Sequence, residues 1–292
     1  MQIEKISKNV HKLYLKGRVV EIAILSDLHW DNPKCNRELL KEHLDYCLSK
    51  EMPIIIIGDF FCLMQGRGDN RRNKSDIRPE HNNAKYLDSI VETAVEWFTP
   101  YAHLIAVIGY GNHETGIIKY QETDILERFV TMINLKTGSN IQVGGYGGWV
   151  IYNVEYRKDR YTNFKHKYFH GSGGGGIVTK GAINLTRALE TYEGMDIFSI
   201  GHIHENAARI DVRESLEDNN NHYKIIHKEI HHCITGTYKE EYEDGSKGWH
   251  VERGAPPKPL GGRILKLSIK RAHADKKPLV KKIDSYQFPL FE

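Results

Sequence analysis

Cysteine is scarce in this 292-residue chain. Only four occur (Cys35, Cys47, Cys62 and Cys233), and no two form a Cys-x-x-Cys pair. That excludes a disulfide-stapled scaffold and a cysteine-rich zinc finger, and it points to reduced thiols in a cytoplasmic protein. Long apolar runs are missing as well. No stretch approaches the ~18 residues that a membrane span needs, and residues 1–17 lack the apolar centre of a signal peptide. The expectation is a cytoplasmic chain with no membrane partner. Charge of one sign is also absent, since 41 Lys and Arg against 38 Asp and Glu leave a formal net charge of +3. A dedicated nucleic-acid binder carries a stronger positive footprint. With no internal repeat, no low-complexity tract and no convincing linker, a single domain over residues 1–292 is expected. A content of 40% hydrophobic and 27% charged residues suits a globular protein with a proper core.

Histidine, by contrast, is plentiful at 16 residues. The chain is organised around the apolar run Ile22-Ala23-Ile24-Leu25, which ends in Ser26-Asp27-Leu28-His29. On an extended chain, positions i and i+2 share a side, so Asp27 and His29 aim at one point. The same grammar recurs. A helix over 36–50 leads to the wholly apolar strand 53–57, which ends in Gly58-Asp59. Residues 60–83 form a long loop rich in Arg and Gly, and 84–98 return to helical spacing. The strand 103–108 runs into Gly111-Asn112-His113-Glu114, and 121–135 form a further helix with Thr123 or Asp124 as its cap. Alternating strands and helices imply a parallel sheet. Beyond residue 141 the texture changes to one or two strands over 141–156, a strand over 165–169 that leads into His170, and a helix over 182–192. The strand 196–200 then reaches His202 and His204, and antiparallel strands follow over 208–212, 223–234 and 263–268. Residues 237–262 are expected as an aromatic, Gly- and Pro-containing loop, and the basic segment 266–282 as a strand pair at a sheet edge.

Five segment ends thus carry polar donors: Asp27 and His29, Asp59, Asn112 and His113, His170, and His202 and His204. Each follows an apolar run, so all lie at one edge of the sheet, where open α/β sheets place their chemistry. Carboxylate, carboxamide and imidazole together suit first-row dications. The set holds no thiolate, which argues against a structural zinc site. A lone histidine at a strand end is more often structural than ligating, and His166 lies close enough in sequence to compete with His170. His231 and His232 are adjacent and so point to opposite faces of a strand, which argues against a second zinc cluster there. The glycine run 171–176 lacks the Gly-Lys-Ser/Thr ending of a P-loop. Its role is to let backbone pass close to the donors.

The ordered set Asp27-x-His29, Gly58-Asp59, Gly111-Asn112-His113-Glu114, His170 and Gly201-His202-x-His204 resembles the calcineurin-like metallophosphoesterases. The resemblance implies an α/β fold, a four-layer α/β/β/α sandwich with mixed sheets, and two divalent ions, Mn²⁺ foremost with Fe, Ni or Zn as alternatives. It implies that Asp27, His29 and His204 hold one ion and Asn112, His170 and His202 the other, with Asp59 between them. His113 is implied to be the catalytic group facing the phosphoryl or leaving oxygen, and a coordinated hydroxide to be the nucleophile. Protein phosphatases of this type carry Asp-Arg-Gly soon after Gly-Asp and an arginine before Gly-Asn-His-Glu. Here Phe60-Phe61-Cys62-Leu63 follow Asp59 and Tyr110 precedes Gly111. The pattern is therefore closer to phosphodiesterases and nucleases. Arg67, Arg71 and Arg72 in the basic loop, with Arg253, suit a grip on a phosphate backbone, the alternative being a solvated insertion. The expected partner is a phosphoester substrate, nucleic acid foremost, and nothing in the sequence sets an oligomeric state. The runner-up activity is hydrolysis of a small phosphomonoester, and the third reading a non-catalytic scaffold of the same fold.

Overall fold

The computed structural model describes residues 1–63, 76–174, 176–219, 222–242, 245, 249–252, 254–271 and 279–289. A seven-stranded sheet sets β1 (Gln2–Ser7), β2 (Val10–Lys16), β7 (Gly147–Arg157), β8 (Arg160–Phe169), β9 (Ile197–Ile200), β11 (His222–Ile234) and β10 (Ala207–Asn219) side by side in that order. A six-stranded sheet runs β13 (Leu279–Gln287), β12 (Arg263–Arg271), β3 (Val19–Leu25), β4 (Ile54–Ile56), β5 (Ile105–Ile108) and β6 (Gln142–Val143). The strands β3 to β6 are parallel, while β12 runs antiparallel to β3. In the other sheet β9 runs parallel to β8 and β11, and β7 antiparallel to β8. Both sheets are mixed.

Apolar patterning explains the layering. The strands β3 and β4 are apolar on both faces because both are covered. Ile22, Ile24, Ile55 and Ile57 turn one way and meet Leu13, Tyr152, Val154, Phe164 and Tyr168 of the facing sheet. Ala23, Leu25, Ile54 and Ile56 turn the other way, onto Leu40 and Leu44 of α1 (Arg37–Ser49), Ile90 and Phe98 of α2 (Tyr86–Phe98), and Phe129 and Ile133 of α4 (Ile125–Thr137). On the far face of the seven-stranded sheet, Leu185 and Ala188 of α5 (Ala182–Thr191) pack on Phe198, Ile200 and Ile234. The result is the α/β/β/α order of layers. Local signals set the helix ends. Asn36 accepts a bond from the Leu39 amide at 2.9 Å, Asp124 from the Glu127 amide at 3.0 Å, and Gly138 closes α4 with φ of 69°. No helix among the described residues is long and apolar enough to cross a membrane.

Several elements depart from the sequence expectation, each for a local reason. The hairpin β1–β2 was not anticipated, because His11 occupies a fully buried position beside Leu13 and interrupts the apolar alternation. A helix, α3 (Asn112–Gln121), begins at Asn112, so Asn112 and His113 stand at a helix N-terminus rather than on a strand end. Ile117 is the only apolar side chain that α3 buries, too little to show a period. The loop after Asp59 starts later than expected. Phe60 and Phe61 are core residues, Phe60 tilted against Phe98 and Phe61 edge-on to Phe129, and Cys62 and Leu63 are also buried. The stretch 237–262 is not all loop: Thr237 bridges to Leu260, Lys239 bridges to Cys35, and Trp249–Glu252 form a short helix. His166 lies between the sheets, 2.7 Å from Tyr152 Oη and 2.8 Å from Ser199 Oγ, and so does not compete with His170. His231 lies near Glu229 and His232 near Asp211, and neither belongs to a metal-type cluster among the described residues.

Candidate metal centre

Three strands deliver their chains to one place. Past the end of β3 the pairing continues irregularly: the Asp27 amide donates to Gly58 O at 3.0 Å, His29 to Asp59 O at 3.1 Å and Trp30 to Phe60 O at 3.0 Å. Asp27, His29, Asp59, His202 and His204 all hold left-handed backbone, with φ of 53°, 46°, 48°, 66° and 55°. This is uncommon for residues with a side chain and costs on the order of 1–3 kcal/mol each. Asp27 and His29 do share a side, with Leu28 buried in the core between them, but by this kinked path rather than by an extended one.

The donors fall into two groups whose ligand atoms lie within 4.8 Å of one another: Asp27 with His29 and His204, and Asp59 with His170 and His202. His204 Nε2 is 3.2 Å from Asp27 Oδ1, and His170 Nε2 is 3.3 Å from Asp59 Oδ2. Asn112 Oδ1 lies 3.2 Å from His170 Nε2, which joins it to the second group. His113 Nε2 stands 3.9 Å from Asp59 Oδ2.

A shell of further bonds orients these side chains, as outer partners of metal ligands commonly do. His170 Nδ1 donates to Ile57 O at 3.0 Å, which turns Nε2 toward Asp59. His113 Nδ1 donates to Cys62 O, so its Nε2 faces the centre. The Asp27 carboxylate accepts from the Ser26 hydroxyl and from the His202 amide at 2.9 Å, and its backbone carbonyl accepts from Thr237 Oγ1 at 2.9 Å and the Tyr238 amide at 3.0 Å. Asp59 Oδ1 accepts from the His113 amide at 3.0 Å.

Electrostatics mark the place as anionic and desolvated. Burial raises the Asp59 carboxyl, but the charges of His170 and His113 overcome it and hold the group well below the usual carboxylate range. Asp27 is likewise lowered, with burial opposed chiefly by His204. Burial lowers His170, yet the charge and hydrogen bond of Asp59 carry it up to about 9. His29 is pushed well below its ordinary value by burial and then by His113. His29 is only 2% exposed, and neither of its ring nitrogens has a hydrogen-bond partner. A neutral, buried, unpartnered imidazole beside two ionised carboxylates is a donor set that fits a cation.

The structure therefore brings together seven of the sequence-predicted residues, Asp27, His29, Asp59, Asn112, His170, His202 and His204, with His113 beside them. Arg67, Arg71, Arg72 and Arg253 lie outside the described residues. Sequence reasoning missed four neighbours. Glu114 is buried and bonds the Phe61 and Gly111 amides at 2.9 and 2.8 Å, fixing the loops of Asp59 and Asn112; burial and then Asp59 push its carboxyl up to about 8. Asp31 accepts from the Leu63 amide at 2.9 Å, and Lys239 pairs with Glu241 at 2.7 Å. Cys62, contrary to the expectation of a thiol-free set, lies with its Sγ within 4.8 Å of ligand atoms of His29 and His113. Its only sequence signal was its place three residues after Asp59.

Comparison with solved structures finds low identity and low overall superposition. Vps29 of Chaetomium thermophilum is 9% identical over 94% of this chain and 100% of its own, with a TM-score of 0.32. A predicted phosphoesterase of Streptococcus pneumoniae TIGR4 is 12% identical over 92% and 98%, with a TM-score of 0.32. GAP50 of Plasmodium is 11% identical over 94% and 90%, with a TM-score of 0.42. No curated protein sequence matches the chain. The family model for the calcineurin-like phosphoesterases matches residues 20–228, a span that contains every donor of both groups, and the chain belongs to that family.

Proposed function

We propose that the protein is a binuclear, manganese-dependent phosphodiesterase acting on DNA or another nucleotide-containing diester. The observation that carries this reading is the pair of three-residue donor groups, one on Asp27 and one on Asp59, within a family of metal-dependent phosphoesterases. In it, Asp27, His29 and His204 would hold one divalent ion and Asn112, His170 and His202 the other, with Asp59 serving both. Such a pair of ions supplies positive charge for phosphoryl oxygens and acidifies bound water. The chain's own groups do the rest. His113, oriented through Nδ1 by Cys62 O, handles a proton at Nε2 on the leaving-group side. His170, fixed at Nδ1 by Ile57 O, presents Nε2 as a donor. The left-handed turns keep five donors converged before substrate arrives, which is preorganisation stored in the backbone.

Preference for a diester is supported by Tyr110, which stands where the protein phosphatases of the first resemblance carry arginine. Its hydroxyl is bonded to Asp124 Oδ2, so it brings no cation to a terminal phosphate dianion. The four cysteines are free and buried, in keeping with a reducing compartment such as the cytoplasm. The test compares bis-p-nitrophenyl phosphate with p-nitrophenyl phosphate in the presence of manganese, and labelled single- and double-stranded DNA, with Asp59→Asn as control. Faster cleavage of the diester and cutting of DNA by the wild type alone are expected. A clear monoester preference would remove the diester assignment.

A further inference from the structure

The geometry points to a second use of the centre: Cys62, His29 and His113 form a site for a soft divalent cation, Zn²⁺ or Cd²⁺, whose binding silences the enzyme. Loss of activity rests on the function proposed above; the binding itself does not. The three ligand atoms lie within 4.8 Å of one another. A sulfur with two imidazole nitrogens suits a soft or borderline cation, whereas the neighbouring carboxylate-and-imidazole groups suit manganese. Selection between the two kinds of site follows from ligand softness.

The sulfur is fixed in place. Cys62 is 1% exposed, and the Asn32 amide nitrogen donates to its Sγ at 3.1 Å, which holds the sulfur in place, while burial pushes the thiol up and keeps it protonated until a cation takes it. Asp31 pins the following Leu63 amide at 2.9 Å. His29 supplies the independent sign of a ligand, since it is buried and both ring nitrogens lack a hydrogen-bond partner. His113 approaches closely, its ring centroid 4.8 Å from that of His29. Lys239 would oppose a cation here, but Glu241 balances its charge at 2.7 Å. On binding, the S–H bond breaks, a sulfur–cation bond forms and the proton leaves to solvent, with no change of oxidation state.

Inhibition follows from what the cation takes. His29 also belongs to the group of Asp27 and His204, and His113 is the residue assigned to proton transfer. A soft ion held by Cys62 draws both away. Cys35, Cys47 and Cys233 have no comparable histidine partners among the described residues.

The test titrates manganese-loaded protein with Cd²⁺ and follows the ultraviolet thiolate-to-cadmium absorption alongside hydrolysis of bis-p-nitrophenyl phosphate. Wild type is expected to gain the absorption and lose activity together near one equivalent. Cys62→Ser, which keeps the other three cysteines, is expected to lack the absorption and to need at least about 10-fold more cadmium for the same fractional inhibition, the least that loss of a supporting partner costs. Absorption that persists unchanged in folded Cys62→Ser overturns the site, even if the protein hydrolyses no phosphoester. Should the variant not fold, X-ray absorption on wild type with one equivalent of Zn²⁺ decides. One sulfur at about 2.3 Å with nitrogens at about 2.0–2.1 Å is expected, and a shell without sulfur contradicts the assignment.

Discussion

Asp59 is held at both carboxylate oxygens, by the His113 amide on one and by His170 Nε2 on the other. Asparagine there preserves shape and removes charge. Asp59→Asn is expected to fold and to bind fewer than two metals per chain by elemental analysis. His113→Ala is expected to keep two and to lose about 10²–10⁴-fold in rate, the usual worth of a general acid. Full metal occupancy in Asp59→Asn would contradict the bridging role. Glu114 acts one step back. Each of its oxygens accepts a buried amide, and glutamine can replace only one of those acceptors. Glu114→Gln should cost roughly 1–3 kcal/mol in urea unfolding, the range for a buried polar group left unpaired. The donor residues were legible because each follows an apolar run. Glu114, Asp31 and Cys62 were not, because their parts are set by backbone amides and by neighbours distant in sequence.

At the level of elements, glycines set how closely the segments meet. A Cβ on Gly201 would lie 2.0 Å from Ser26 Oγ and 2.7 Å from Asp27 Oδ2; on Gly111 it would lie 2.0 Å from Asp59 Oδ1. Gly201→Ala is therefore expected to push Asp27 off its position and weaken manganese binding at least about 10-fold, as loss of a supporting partner does. Isothermal titration of metal-free protein measures this. Unchanged affinity would mean the contact relaxes without moving the carboxylate. The strands β3, β4 and β5 could be read as apolar runs covered on both faces, and the helices α1, α2 and α4 from the one apolar face each turns to the sheet. The hairpin β1–β2 could not, since a buried His11 breaks its alternation, and α3 has too few apolar residues to show one. The left-handed turns at Asp27 and Asp59 leave no mark in composition, because neither residue is glycine.

Across the whole molecule, buried histidines tie stability to pH. Burial drives His166 down to about 3 and His11, His43 and His232 to about 4, against an ordinary 6.5. The unfolded chain takes up protons on these groups first. Their contribution is complete above 6.5 and is lost as pH falls toward 4, at up to about 1.4 kcal/mol per pH unit for each group. Asp27 and Asp59, lowered from 3.8, lose theirs at still lower pH. His170 works the other way. It is raised to about 9, so its stabilisation is full below 6.5 and is lost as pH climbs toward 9. Metal-free protein should thus show its highest urea midpoint near pH 6.5, with a decline on both sides. Metal held by His170 would remove that group's share of the alkaline decline by taking the place of its proton, while Glu114, raised to about 8, would keep its own. A midpoint that stays flat between pH 4.5 and 6.5 would mean the buried histidines are not held neutral.

Convergence of the two donor groups on a pair of ions is the claim from which the rest follows. Crystals grown with manganese and measured at its absorption edge test it directly. Two anomalous peaks are expected, one against Asp27, His29 and His204, the other against Asn112, His170 and His202, with an Asp59 oxygen reaching each. A single peak, or two that do not share Asp59, would contradict the account.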